Sequence, residues 1–420
     1  MRGRRWRAAI ATVALAAMLA AGCGRASTDS GSKGSTTAGA PSATAGFDGR
    51  TISVGVVTIQ TGPAAVIGLP WTDGNLAAFD EVNARGGIAG RYKIKPIVVD
   101  SALDTTRAVQ EYNAMKDRVA LFGNVQGTVI VNAVLPQIKR DGAVAVPGSL
   151  DSSWLHEPNL APWYAPYQVE AANGYDWYAR AHAGKKICSA VQDDTYGKAV
   201  QTGADFAAKT AGAPLAKAVT FQPTDTDFTA PVTALRGAGC DAVLLGTTPT
   251  GAGGLLAKAA SEGFAPQWIG MVTTWAPALG LSRLGSYLQQ HLVVVSDGPA
   301  WGDTSKPGMA EMVQAMKTYF PKEQPSLFFQ EGYVQSRVAV QVLEQAVKDG
   351  DLSHAGVLKA IAELPKVTFG GLTGDFTYGA PADRSPPRVN TIFKVVPNAP
   401  LGLRALQENV QSDAATKLKL

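Results

Sequence analysis

The sequence has few of the residues and motifs on which common enzymes depend. Its 420 residues include 4 His and 3 Cys, and the four histidines stand apart with no motif around them. It contains no G-x-S-x-G, H-E-x-x-H, C-x-x-C or G-x-x-x-x-G-K-[ST] motif. These absences argue against serine hydrolases, zinc proteases, dithiol redox proteins and P-loop enzymes. We therefore predict a protein that is not an enzyme and uses neither a metal nor a cofactor.

One glycine-rich stretch, Leu244 to Ala260, nevertheless has the order of a nucleotide-binding loop. The sequence "LLGTTPTGAGGLLAKAA" predicts a buried strand, a loop and a helix start. No lysine stands where a phosphate loop would have it, since Lys258 falls inside the helix, and the dinucleotide glycine spacing is absent. The loop is therefore interpreted as one side of a binding cleft, with Thr247 and Thr248 facing the solute.

An uncharged run follows a cluster of arginines at the N-terminus. Arginines precede the uncharged segment Ala8 to Ala21, which is shorter than the roughly 20 residues that span a bilayer. This order is typical of an export signal. The segment ends in "LAAGC" and resembles the lipobox of bacterial lipoproteins, with Ala20 where leucine is usual and Cys23 as the acylated residue. The alternative is an ordinary signal peptide with an incidental cysteine.

The residues after Cys23 predict a tether, and removal of the signal peptide changes the charge balance. The chain to residue 49 is rich in Gly, Ser and Thr, which is typical of a flexible linker. Removing the signal peptide removes four arginines and no acid, so Lys plus Arg falls from 38 to 34, equal to the 34 acids. A neutral mature chain gives no reason to expect nucleic-acid binding.

The remaining sequence alternates strand-like and helix-like segments. Strands rich in β-branched residues, such as 51–57, are followed by amphipathic helices, which predicts parallel sheets covered by helices on both faces. Pro96 removes a backbone donor and places the second strand at a sheet edge. The pattern restarts near Lys185, so we predict two Rossmann-like α/β lobes. Helix-like and then strand-like segments occur again late in the chain, which indicates that the chain crosses between the lobes more than once, through a multi-strand hinge. The predicted segments are a signal peptide (1–22), a tether (23–49), a first lobe (50–165 with 297–368), a second lobe (166–296 with 369–398) and a C-terminal tail (399–420).

Several segments together resemble the Leu/Ile/Val-type solute-binding proteins of ABC importers, which have the type I periplasmic binding protein fold. They include "DGNLAAFDEVNARGGIAGR", "VALFGNVQGT", "AVAVPGSL", "DDTYGKA" and "GCDAVLLG". The resemblance implies strand order 2-1-3-4-5 in each lobe and a solute trapped between lobes that close about a hinge. It also implies delivery to a membrane permease driven by ATPase subunits, by an exported, lipid-anchored monomer at the outer face of the cell membrane.

The binding residues follow from the loops at the strand ends, where open parallel sheets bind ligands. The positions that match the family's site, or lie in these loops, are Gln126, Gly127, Thr128, Gly148, Ser149, Tyr196, Thr247, Thr248 and Trp275. The match departs from amino-acid binders at Gly127, at Leu150 and in "GMVTTWAP", which lacks the acid that would pair with an α-ammonium. The expected solute is an amino acid or another small, weakly polar organic compound.

Two cysteines, Cys188 and Cys240, remain after Cys23. By composition alone they are either a disulfide, as exported proteins often have, or two free thiols. The strand order implied by the resemblance makes their strands parallel neighbours and places both residues at the same end, opposite the ligand, within bridging range. Two other functions stay open for this sequence, namely a lipid-anchored sensory receptor on the same fold and, more remotely, an exported enzyme.

Overall fold

The computed structural model describes residues 41–420. The predicted signal peptide, Cys23 and the predicted tether up to residue 40 lie outside the described residues. From residue 44 the chain already belongs to the folded body, because Thr44 and Phe47 form an antiparallel bridge. The Phe47 ring is buried and packs edge-on against Tyr92, with 5.1 Å between ring centroids.

The first sheet contains four parallel strands in the order β2-β1-β3-β4. These strands are β1 (Thr51–Thr58), β2 (Lys93–Asp100), β3 (Leu121–Gln126) and β4 (Ala145–Gly148). Pro96 lies in the edge strand β2, as predicted. The expected fifth strand is reduced to one bridge between Ala145 and Leu160, because prolines at 158 and 162 flank that point and lack the N–H that a ladder needs.

The second sheet has seven strands in the order β13-β12-β9-β8-β7-β5-β6. They are β5 (Ile187–Gln192), β6 (Lys217–Phe221), β7 (Ala242–Gly246), β8 (Gln267–Gly270), β9 (Leu292–Ser296), β12 (Asn390–Val395) and β13 (Leu403–Val410). The parallel part reproduces the implied order 2-1-3-4-5, and β12 and β13 add an antiparallel edge. The predicted tail therefore contributes the edge strand β13, whose backbone hydrogen bonds come from pairing with β12. A separate hairpin joins β10 (Lys366–Val367) and β11 (Phe376–Thr377).

Helices cover the two sheets. They are α1 (Ala65–Ala84), α2 (Thr105–Met115), α3 (Thr128–Asp141), α4 (Tyr167–Ala181), α5 (Thr195–Thr210), α6 (Thr229–Ala238), α7 (Pro249–Ser261), α8 (Pro277–Gly280), α9 (Gly285–His291), α10 (Pro307–Tyr319), α11 (Leu327–Asp349), α12 (His354–Glu363) and α13 (Asp413–Lys417). The apolar stripe of Val334, Val338, Val342 and Ala346 on α11 is fully buried. Within residues 41–420, none of the helices combines the length and apolar character that crossing a bilayer requires.

Helices α1 and α11 pack with their backbones in close contact. A Cβ added at Gly332 would lie 1.9 Å from the Trp71 carbonyl oxygen, and one at Gly74 would lie 2.1 Å from that of Phe329. Only glycine permits this approach at either position. The packing fixes Trp71, whose indole Nε1 donates to Gln335 Oε1 at 2.6 Å.

The chain passes between the two sheets three times, at residues 149–166, at 297–306 and between α12 and β12. The disulfide joins Cys188 and Cys240, with Cα atoms 5.8 Å apart. Cys188 is near the start of β5 and Cys240 directly precedes β7, its parallel neighbour. The predicted pairing is therefore confirmed, at the amino ends of these strands.

Candidate functional site

A cavity of about 80 Å³ lies between the carboxyl ends of the two sets of parallel strands. One water needs roughly 10–15 Å³ on this measure, so the space suits a small organic solute. Loops of the first sheet and helices α1 and α3 contribute Ile59, Ala64, Ile67, Trp71, Leu103, Gln126, Gly127, Thr128, Val129 and Gly148. Residues of the second sheet's loops and helices contribute Tyr167, Gln192, Asp194, Tyr196, Thr248 and Thr273.

Most of the residues predicted for the site come together around this cavity. Gln126, Gly127, Thr128, Gly148, Tyr196 and Thr248 border it. Ser149 is buried beside it, with its hydroxyl oxygen 2.7 Å from that of Thr128. Residues predicted at the strand ends of both sheets therefore border the same cavity.

The structure places Thr247 and Trp275 behind the cavity wall. Thr247 is 1% exposed and its hydroxyl donates to Gln192 Oε1 at 3.3 Å. Trp275 is also 1% exposed, and its Nε1 donates to the Leu401 carbonyl at 2.8 Å. The ring belongs to the packing under β12 and β13 and does not line the cavity.

Gln126 ends β3 and is held in one orientation. Its Oε1 accepts from the Thr58 hydroxyl at 2.7 Å and from the Ile59 backbone N–H at 3.2 Å. Because a backbone N–H can only donate, the oxygen must face Ile59. The Nε2 atom is buried and has no hydrogen-bond partner among the described residues. Gln126 therefore borders the cavity with its oxygen engaged and its buried nitrogen without a partner among the described residues.

Gly127 leads from β3 into α3 with φ of 100°. A side chain is strained in that conformation, and a Cβ would also lie 3.0 Å from Leu103 Cδ1. This geometry explains why no hydroxyl residue occupies the position. It also leaves α3 without a side-chain cap from any described residue. The uncapped first turn carries Thr128 and Val129 to the cavity.

Hydroxyl groups from the second sheet's loops close the other side. The Thr273 hydroxyl donates to the Tyr196 hydroxyl oxygen. The Tyr196 ring packs edge-on against Tyr167, with centroids 4.6 Å apart. Burial raises the pKa of both tyrosines, so their hydroxyls stay protonated and can donate.

Asp194 is the acid that borders the cavity, and it already has hydrogen-bond partners. It caps α5 by accepting from the Gly197 N–H at 2.9 Å, and its other oxygen accepts from Gln192 Nε2 at 2.5 Å. Burial raises its pKa despite these bonds. Asp194 is therefore engaged in holding the start of α5.

Sequence reasoning missed several residues of the wall. Ile59 and Gln192 directly follow or end strands, so the strand-end rule was sufficient to find them. Leu103, Tyr167 and Thr273 lie in loops or at helix starts whose direction no local pattern specifies. Among residues 41–420, His, Cys, Asp and Glu side chains do not gather in threes as a metal site needs.

The fold and this cavity define an α/β protein with a small cavity between the carboxyl ends of two sheets. A family model described as periplasmic binding protein matches residues 51–399, so the chain belongs to that family. An amino acid binding protein from Pseudomonas aeruginosa is 26% identical over 237 residues, which are 53% of this chain and 61% of the relative. The chain thus matches about three fifths of that relative's length.

Two solved structures share the fold. A fatty acid ABC transporter substrate-binding protein from Thermomonospora curvata has a TM-score of 0.84 and 24% identity, covering 90% of this chain and 97% of its own. A branched chain amino acid ABC transporter protein from Thermus thermophilus, with bound valine, has a TM-score of 0.76 and 16% identity, covering 88% and 98%. These structures are substrate-binding proteins, and their similarity establishes the type I periplasmic binding protein fold.

Proposed function

We propose that this chain is an extracytoplasmic solute-binding lipoprotein that captures a small, weakly polar organic solute and delivers it to an ABC importer permease. The observation that carries the proposal is the cavity between the two sheets, bordered by Gln126 on one side and by the hydroxyl residues Tyr196 and Thr273 on the other. The neighbours with this fold bind solutes as different as a fatty acid and valine, so the fold leaves the solute open.

The proposed lobes are 50–165 with 297–368 and 166–296 with 369–398. The division is supported by which strands share a sheet, since β1–β4 form one sheet and β5–β9 with β12 belong to the other. A solute touching Gln126 on one side and Tyr196 on the other would hold the lobes together. In this scheme the permease recognises the closed form of a monomer.

Native mass spectrometry of the purified protein tests solute capture. We expect a small molecule to co-purify and to raise the thermal midpoint when added back. A protein that carries no solute and shows no midpoint shift with any member of a broad solute panel would refute the proposal. Pull-down of permease and ATPase subunits from membranes, dependent on added solute, tests the importer partnership.

The anchor is proposed at Cys23, where the sequence resembles a lipobox. Labelling with palmitate should mark the wild-type protein and not the Cys23→Ala variant. Cys188→Ala is the matched control, because that cysteine is in the disulfide and its loss should leave labelling intact. Label that persists in Cys23→Ala would show that the anchor is elsewhere or absent.

A further inference from the structure

One hydrogen bond crosses the cleft between the two sheets away from the connections that join them. The Thr250 hydroxyl, on the first turn of α7, donates at 3.1 Å to the carbonyl oxygen of Pro63, in the loop between β1 and α1. The two residues are 187 positions apart and follow strands of different sheets. The other direct hydrogen bonds between the two sides within residues 41–420 lie in or beside the three connections.

This bond lies where the cavity wall meets solvent. Ala64, which follows Pro63, and Thr248, two residues before Thr250, both line the cavity. Pro63 and Thr250 themselves are exposed to solvent. The two loops therefore cannot separate at this edge of the cavity without breaking the bond.

The loop that carries the acceptor is held in place by Asp100, at the end of β2. Its Oδ1 accepts from the backbone N–H of Gln60 at 2.8 Å, and its Oδ2 accepts from the Thr61 hydroxyl at 2.6 Å. These bonds fix the residues that directly precede Gly62 and Pro63. The Pro63 carbonyl is thus presented by an ordered loop.

The same carboxylate fixes a neighbouring part of the cavity wall. Oδ1 of Asp100 also accepts from the Ala102 N–H at 2.8 Å. Ala102 and Leu103 have φ values of 52° and 60°, which residues with a side chain adopt only where the surroundings impose it. Because Leu103 lines the cavity, one carboxylate orders both the wall and the loop with Pro63.

The donor is equally well held on the opposite side. Thr248 caps α7, since its hydroxyl oxygen accepts from the Gly251 N–H at 3.5 Å. A Cβ added at Gly251 would lie 2.3 Å from Thr247 Oγ1, so the first turn of α7 packs directly on the end of β7. A contact between two groups that are already ordered forms with little loss of conformational freedom.

We propose that the hydrogen bond from Thr250 to Pro63 is a latch that holds the cleft closed and slows release of the solute. Thr250 is then a positioning residue, because it contacts the opposite loop and does not line the cavity. The inference rests on the proposed function, since a latch acts only where the lobes open and close. Its loss should speed release and leave the rate of capture nearly unchanged, because the open form lacks the bond.

Three substitutions separate the hydroxyl from the shape of the side chain. Thr250→Val removes the donor and keeps a β-branched side chain, whereas Thr250→Ser keeps the donor. Thr202→Val is the matched control, because that exposed hydroxyl donates within α5, to the Lys198 carbonyl at 2.8 Å. Circular dichroism spectra and thermal midpoints establish that each variant is folded.

Small-angle X-ray scattering of the solute-free mature chain measures the balance between open and closed forms. We expect the ratio of open to closed protein to rise about threefold in Thr250→Val, as the loss of one neutral hydrogen bond predicts. Thr250→Ser and Thr202→Val should scatter as the wild type does. An unchanged profile in folded Thr250→Val, or equal opening in Thr202→Val, overturns the latch.

Release is measured on protein purified with its bound solute. After dilution, native mass spectrometry should show the bound mass disappearing about threefold faster from Thr250→Val than from the wild type and from Thr250→Ser. Equal half-times for all the proteins also overturn the latch. Absence of any bound solute refutes capture instead, and the scattering comparison then still decides whether Thr250 holds the cleft closed.

Discussion

The backbone N–H of Ala165 donates to Oδ2 of Asp297 at 3.1 Å, and this bond joins two of the three connections between the sheets. The same oxygen accepts from the Thr373 hydroxyl at 3.0 Å, in the third connection. Oδ1 accepts from Asn390 Nδ2 at the start of β12. One buried carboxylate therefore joins all three connections between the sheets.

Replacing this carboxylate should destabilise the protein strongly. Asp297→Asn turns one acceptor oxygen into an NH₂ group that faces donors, and each buried donor left unpaired costs about 1–3 kcal/mol. We expect a lower free energy of unfolding in chemical denaturation, by about 2 kcal/mol or more. Asp117→Asn, at an exposed acid, is the control and should change little. Equal stability of the two variants would show that Asp297 does not organise the connections.

The pH dependence of stability should reflect a buried acid cluster near the hinge. Burial raises the pKa of Asp297 to about 7 and the pKa values of Glu331 and Glu170 well above the usual range. The charge of Asp297 raises the pKa of both glutamates further, and Glu331 also raises that of Glu170. Tyr164 and Tyr167 face the same cluster. The folded protein holds these protons longer than the unfolded chain, so their contribution to stability falls as pH rises from about 4 through 7.

Glu331→Gln tests this dependence, because neither Glu331 oxygen has a hydrogen-bond partner among the described residues. We expect a shallower fall of the unfolding free energy between pH 4.5 and pH 7.5, because the variant lacks one group that binds a proton more tightly in the folded than in the unfolded protein. Glu408→Gln, at an exposed site on β13, should give the wild-type slope. Parallel curves for Glu331→Gln and wild type would contradict the assignment.

Two glycine-to-alanine substitutions, one at the contact between α1 and α11 and one on α6, should have opposite effects on stability. Gly332→Ala places a Cβ 1.9 Å from the Trp71 carbonyl, so the helices must separate, and both stability and solute affinity should fall because Trp71 lines the cavity. Gly237→Ala, in exposed α6 with open space around it, should instead stabilise by about 0.5–1 kcal/mol. Thermal unfolding and titration of both variants measure this. A Gly332→Ala protein with wild-type affinity would argue against a role for this packing in the site.

Removal of the disulfide should affect stability and not binding. The bridge spans 52 residues, for which the chain-entropy model gives about 4 kcal/mol. A Cys188→Ala, Cys240→Ala double variant should therefore unfold at lower denaturant concentration while keeping its solute affinity, because the bridge lies at the opposite ends of the strands from the cavity. Loss of affinity with unchanged stability would reverse this interpretation.

Much of the architecture could be predicted from local sequence. Alternating β-branched strands and amphipathic helices determine a parallel α/β fold, Pro96 determines an edge strand, and the strand-end rule led to Gln126, Thr128 and Tyr196. These inferences succeed because periodicity and backbone chemistry act within a few residues. The order of the strands and the disulfide pairing needed the family resemblance as well.

Other features depend on contacts between residues far apart in sequence. Thr247 and Thr248 are neighbours with similar chemistry, yet Thr248 borders the cavity and Thr247 turns to Gln192. Trp275 lies in a strand-end loop and was predicted to bind the solute, but packing beneath the terminal strands buries its ring away from the cavity. The free nitrogen of Gln126 and the meeting of three connections at Asp297 have no local signature. The sequence by itself determined which segments form strands, helices and loops, because that choice is made by nearby residues. Tertiary structure alone decided which side chains border the cavity and which acids are buried together, because those depend on how distant elements pack.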